Sequence, residues 1–276
     1  MGRSMITSQP WDCGFLSRSQ AFEVLHAAAH GLDLSAWPSM AALTQRARRL
    51  LPPDAKSITF VNTQAEEPLS YEERIHGKGE VFCRREDWHD FLNALVWMTF
   101  PEAKTALNAR HVEEMAKETP AQRGRARDAL TLFDEGGAMV CSSDPLMLDL
   151  IRTFQWKELF WRQRERFQET TRVFIFGHAM YHKLLDPFVG VSALALLYQV
   201  PGGFLKLSLQ EQLAHADAQT AKRLADAHAL ATPRDLAPLP ILGVPGWFAG
   251  NDEASFYDNQ DYFRPGRMRA ARTDQA

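Results

Sequence analysis

One proline does most to limit how this chain can fold. Residues 87–98 and 101–117 both carry apolar side chains at helical spacing, and Pro101 stands at their junction. Proline lacks a backbone N–H and its ring clashes with the carbonyl four residues back, so one continuous helix through position 101 is excluded. In the first turn of a helix proline is favoured instead, and Thr99-Phe100-Pro101-Glu102 has the Thr and Glu of a capping box. The spacing therefore predicts two helices with almost no loop between them.

The faces of these helices carry polar residues in register. Trp88, Phe91, Leu92, Leu95 and Val96 form an apolar stripe that reads as a core face. His89, Asn93 and Trp97 form a second stripe with Asp90 at its edge, and Lys104, Asn108 and His111 share a face of the next helix. His89 and His111 both lie eleven residues from Phe100. If the helices fold back antiparallel, both imidazoles stand roughly 16 Å from the turn and Asn93 matches Asn108 in height. A perpendicular crossing would separate them. The same side chains could equally serve as buried hydrogen-bond partners between helices.

Elsewhere the punctuation predicts helices over 19–30 (ending at Gly31) and 38–51, then a strand over 57–62. Two β-hairpins are expected. One pairs 69–75 with 80–84 across His76-Gly77-Lys78-Gly79, and the other pairs 130–133 with 138–141 across Asp134-Glu135-Gly136-Gly137. Further helices are read over 144–154, 156–169, 172–185 and 208–230, while 189–200 fits a buried strand or a buried helix. No βαβ rhythm is evident, so the expected class is α+β, mainly helical with short antiparallel β-hairpins. The expected organisation is an N-terminal helical extension (1–56), a main α+β domain (57–230) and a C-terminal arm (231–276) packing on it. Four prolines between Pro233 and Pro245 predict that the arm is extended rather than a packed element.

Composition narrows the class of partner. Thirty-one Lys and Arg against thirty-four Asp and Glu give a net charge of -3, so no global positive field favours nucleic acid or anionic lipid. Three widely spaced cysteines, Cys13, Cys83 and Cys141, argue against a disulfide framework and for a reducing cytoplasm. The N-terminus has no apolar run after its charge, and Ile6 breaks the myristoylation pattern at Gly2. The longest apolar stretches, 91–100 and 189–200, are short of the roughly 20 residues a bilayer needs, so no membrane partner is expected. The Rossmann, P-loop and nucleophile-elbow motifs are absent from the sequence.

The residues that could carry chemistry are few. His89, Asp90, His111, Asp134, Glu135 and His178 are the candidate catalytic set, with Arg74, Asn93, Asn108, Arg127 and Tyr181 as candidate substrate-binding residues. Histidine and carboxylate together suit either proton transfer or a divalent metal, although the sequence identifies no cofactor. His178 and His182 have HxxxH spacing, but Ala179 stands where a zinc protease has its Glu, and an interior His178 holding a backbone carbonyl is the plainer reading. Trp156, Phe160 and Trp161 interleave with Arg162, Arg164 and Arg166, and Arg123, Arg125 and Arg127 form a second basic run. Such mixtures can bind nucleic acid, although aromatics in the core and arginines in solvent explain them as well.

Several strings together resemble a known family. They are Tyr71-Glu72-Glu73-Arg74-Ile75, Trp88-His89-Asp90-Phe91-Leu92-Asn93-Ala94-Leu95-Val96-Trp97 and Phe100-Pro101 with Leu107-Asn108 and His111. Arg127-Asp128-Ala129-Leu130-Thr131-Leu132-Phe133-Asp134-Glu135, Phe176-Gly177-His178-Ala179, Gly243-Val244-Pro245-Gly246-Trp247 and Phe263-Arg264-Pro265 continue the match over about 58–267. The chain resembles an uncharacterised bacterial family catalogued as a domain of unknown function. The resemblance implies no activity or fold. It places an acidic residue more often at the position of His182, which favours His178 over an HxxxH pair. The expected function is therefore a hydrolase using a His/Asp/Glu cluster with or without a divalent metal. The alternatives are a ligand- or protein-binding module and, behind it, a nucleic-acid-binding protein. A small-molecule partner fits the first two, and the sequence is silent on oligomeric state.

Overall fold

A computed structural model describes residues 9–52, 55–62, 69–118 and 124–266. After 3-10 turns at Phe15–Ser17 and Gln20–Leu25 come helices α1 (His26–Ala29) and α2 (Met40–Leu50) and strand β1 (Thr59–Val61). Helix α3 (Tyr71–Lys78), strand β2 (Glu80–Phe82) and helices α4 (Trp88–Thr99), α5 (Pro101–Lys117) and α6 (Arg125–Gly136) follow. Strand β3 (Gly137–Ser142) leaves α6 directly. Then come α7 (Pro145–Arg152), a π-helical turn at Glu158–Arg162, α8 (Arg164–Thr170), β4 (Thr171–Ile175) and α9 (His178–Leu184). Strand β5 (Ser192–Gln199), α10 (Leu209–Ala225) and β6 (Ala237–Pro240) complete the main elements.

Four strands form the central sheet in the order β4-β3-β5-β6. Strand β3 is antiparallel to β4 and parallel to β5, and β5 is antiparallel to β6. Every residue of β3 is buried, as expected of a strand covered on both faces. The class is α+β and mainly helical, as the residue pattern indicates.

The two expected hairpins do not form. Ser70 and Glu73 make a capping box that starts α3, and Gly79 at φ 68° ends it in the left-handed conformation that suits glycine. Residues 71–78 are therefore helix, and β2 pairs in parallel with β1 across it. This small βαβ unit corrects the reading that no such connection exists. The second hairpin is replaced by α6, whose Ala129, Leu130 and Phe133 are buried at helical spacing, so Asp134 and Glu135 occupy the last turn of a helix rather than a hairpin tip. Residues 172–185 divide into β4, rich in β-branched and aromatic residues, and the short α9. The ambiguous stretch 189–200 contains the strand β5.

At the C-terminal side, β6 is an edge strand, the position in a sheet where prolines such as Pro238 and Pro240 are tolerated. The residues after it are packed, which corrects the purely extended reading: Asn251 donates to the carbonyls of Leu242 and Val244, and the Tyr262 hydroxyl donates to that of Val191. The basic residues of 156–166 are paired. Arg162, Arg164 and Arg166 meet Glu158, Asp252 and Asp144, while Trp156 and Phe160 are core.

The corner at Pro101 exists, but its capping box does not. Thr99 Oγ1 turns back to the Leu95 carbonyl. Asp217, on α10, instead accepts hydrogen bonds from the N–H groups of Glu102 (3.0 Å) and Ala103 (2.8 Å). An aspartate side chain distant in sequence thus satisfies the free N–H groups of the helix start.

Candidate functional site

Five helices converge on one cavity of about 290 Å³. Helix α3 supplies Tyr71 and Glu72, α4 supplies His89, Asp90 and Asn93, α6 ends in Asp134 and Glu135, and α9 begins with His178. His111 of α5 and Arg84 also line it. The approach of α9 to α6 depends on Gly177. A Cβ there would lie 2.5 Å from both the Glu135 carbonyl oxygen and the Gly137 nitrogen, closer than real contacts allow. Glycine at this point lets His178 stand beside Glu135.

All six residues expected to carry catalysis line this cavity. Of the expected substrate-binding residues, Asn93 lines it and Asn108 adjoins it, donating to the Glu72 carboxylate at 2.7 Å. Arg74, Arg127 and Tyr181 are elsewhere. Arg74 pairs with Glu80 and Arg127 with Glu118, while the buried Tyr181 hydroxyl donates to the Ile175 carbonyl. His182 does not line the cavity, so the HxxxH pair does not form a shared site. His178 meets His89 instead, with ring centroids 4.4 Å apart and planes nearly perpendicular.

Glu135 sits between the two imidazoles. Its Oε2 is 3.3 Å from His89 Nε2 and 3.7 Å from His178 Nε2. Behind each ring stands another carboxylate. His89 Nδ1 is 3.1 Å from Asp90 Oδ1, and His178 Nδ1 is 4.0 Å from Asp134 Oδ2. At that separation the buried His178 Nδ1 has no hydrogen-bond partner, which corrects the expectation that it holds a backbone carbonyl. Asp90 is fixed by Arg84, whose backbone N–H and guanidinium donate to it at 2.7, 2.8 and 3.0 Å.

These contacts separate the two histidines electrostatically. Hydrogen bonds to Asp90 and Glu135 push His89 up to about 9, so it is an imidazolium at neutral pH when nothing else occupies the site. Burial pushes His178 down to about 4 and keeps it neutral. The His89 hydrogen bond lowers Glu135 below the usual carboxylate range. Burial works against the charge of Asp134 and is the largest single influence, yet Lys104, His178 and His111 together outweigh it and the carboxyl is held low. Glu72 is pushed up by burial and then by the charge of Asp134.

Sequence reasoning placed Lys104 on the right face without assigning it a role, and gave none to Tyr71, Glu72 or Arg84. Lys104 is buried, donates to Asn93 Oδ1 at 3.0 Å and to Asp134, and lies 5.1 Å from the Trp97 ring centroid. Asn93 in turn donates to the Tyr71 hydroxyl at 3.1 Å. The signal for Tyr71 and Glu72 was the Ser70–Glu73 capping box, which would have put both in a first helical turn.

His89, Glu135 and His178 present ligand atoms within 4.8 Å of one another, as do Asp87, His89 and Asp90. In the second set the Asp90 carboxylate is already committed to Arg84, so the first set is the better donor group. Two ligands held tetrahedrally at zinc bond lengths stand about 3.4 Å apart, close to the 3.3 and 3.7 Å found around Glu135. Two histidines and one glutamate also leave a position for water or substrate. The residues fit a divalent cation.

Among the described residues no helix is long and apolar enough to cross a membrane. No curated protein and no solved structure matches the chain. Residues 58–267, which include every residue of this cavity, match the family model described as protein of unknown function (DUF3025), and the chain belongs to that family.

Proposed function

We propose that this protein is a hydrolase that uses a divalent cation held by His89, Glu135 and His178, with a small molecule as substrate. One observation carries the reading: each imidazole turns one nitrogen toward Glu135 and the other toward its own carboxylate, Asp90 or Asp134. Metal-binding histidines are oriented in this way, because the carboxylate fixes the tautomer and raises ligand basicity. Placing Asp134 and Glu135 at a helix C-terminus opposes the helix dipole, a local cost that a cation would offset. The three cysteines are free, which fits a reducing cytoplasm.

A bound cation would polarise a substrate oxygen and lower the pKa of water. The chain's own groups do the rest. Arg84 and Asp90 hold the His89 ring, and Lys104 holds Asp134 behind His178. Tyr71 and Asn93 line the same cavity and would orient a polar substrate group.

Calorimetric titration of the metal-free protein with Zn²⁺, followed by a screen of ester, amide and phosphoester substrates, tests this. One bound equivalent with turnover, both lost in His178→Ala and in Glu135→Gln, is the expected result. Binding without turnover would indicate a binding protein, and no binding would end the metal reading.

A further inference from the structure

A second cavity, about 730 Å³, shares no residue with the His/Glu site. It lies where α7 ends beside β5 and β6, with Phe154, Leu197, Leu236 and Pro238 among its walls. Three arginines from three separate elements reach it: Arg152 from the end of α7, Arg223 from the last turn of α10 and Arg234 from the 3-10 turn Pro233–Asp235. Three guanidinium groups lining one groove repel one another, a cost that a bound anion would offset.

Their existing partners leave capacity to spare. Arg152 pairs with Asp149 at 2.7 Å on the surface, where such pairs contribute little. Arg223 donates to the Leu197 carbonyl at 3.4 Å and lies 5.7 Å from the Tyr198 ring centroid, so it is oriented without meeting a carboxylate among the described residues. The Arg234 guanidinium has no acceptor among the described residues, although its backbone N–H bonds to Thr232. The one carboxylate in the groove, Asp235, accepts the Thr232 N–H in a capping box.

We propose that this groove binds a phosphate-bearing small molecule with an apolar or aromatic body. The volume is that of a small-ligand site. Guanidinium forks arriving from several directions match a tetrahedral dianion, and the apolar walls suit the remainder of the ligand.

Calorimetric titration of the full chain with AMP, inorganic phosphate and adenosine tests the proposal. AMP should bind more tightly than either fragment, and Arg234→Gln, an exposed change that leaves melting unchanged, should weaken AMP about tenfold. Arg223→Gln should weaken it similarly, whereas His178→Ala, in the other cavity, should not. The proposal is overturned by absence of AMP binding at millimolar concentration or by undiminished binding in both arginine variants. Phosphate binding as tightly as AMP, or an equal loss in His178→Ala, would also overturn it. Because the His178 arm reports on the other cavity, failure here and failure of the hydrolase reading are separately visible.

Discussion

Replacing Lys104 with Met keeps most of the side-chain volume but removes the one ammonium beside Asp134. The Lys104 side chain is 3% exposed and that of Asp134 19%, so solvent cannot easily take over the lost contact. Removing one member of a buried ion pair costs roughly 3–5 kcal/mol, because the remaining charge stays desolvated. The contact of Lys104 with Trp97 and its hydrogen bond to Asn93 are lost as well. For a chain of this size that corresponds to a fall in Tm of about 6–20 °C. Urea denaturation of Lys104→Met, Asp134→Asn and the double variant would close a thermodynamic cycle. The double variant should be less destabilised than the two single changes summed, with a coupling of about 2–3 kcal/mol. A Lys104→Met protein within about 1 kcal/mol of wild type, with coupling near zero, would show that Lys104 does not hold Asp134 in place.

Three further outcomes are expected. Burial pushes Asp217 up from 3.8 to about 7, so the native state keeps a proton that the unfolded chain loses; its stabilising effect is full below about pH 4 and declines as pH rises toward 7, by up to about 1.4 kcal/mol per pH unit. Asp217→Asn, which has the shape of the neutral form, should flatten the stability profile between those limits, and an unchanged slope would refute the assignment. Gly177→Ala forces a Cβ against Glu135 and Gly137, so it should cost about 1–3 kcal/mol in denaturant melts and displace His178 enough to weaken Zn²⁺ uptake. Arg84→Gln frees Asp90 from its clamp and should lower Zn²⁺ affinity about 10- to 100-fold by calorimetry, with some loss of stability because the Asp90 side chain is only 11% exposed.

What the sequence made legible was local. Pro101 sets the α4–α5 corner through its own ring geometry, and 3.6-residue spacing was enough to group His89 with Asn93 and Lys104 with His111. The strands and hairpins misled because a short apolar run between glycines reads alike in two structures. Leu130–Phe133 before Gly136-Gly137 fits a hairpin by composition, but tertiary burial of Ala129, Leu130 and Phe133 makes it a helix. The Ser70–Glu73 capping box is legible in the sequence and starts α3, but the turn-like His76-Gly77-Lys78-Gly79 led to a hairpin reading that passed over it. The meeting of His89 with His178 depends on the close approach that Gly177 permits and on a sheet register, neither of which has a one-dimensional signature. Asp217 capping α5 from another helix is non-local for the same reason.

The central claim is that His89, Glu135 and His178 hold a divalent cation. Anomalous diffraction at the zinc edge, from crystals of untagged protein grown with Zn²⁺, tests it most directly. The account predicts one peak within bonding distance of His89 Nε2, Glu135 Oε2 and His178 Nε2, with Asp134 drawn into hydrogen-bond range of His178 Nδ1. A cavity without anomalous density, with His89 still bridging Asp90 and Glu135, would contradict it.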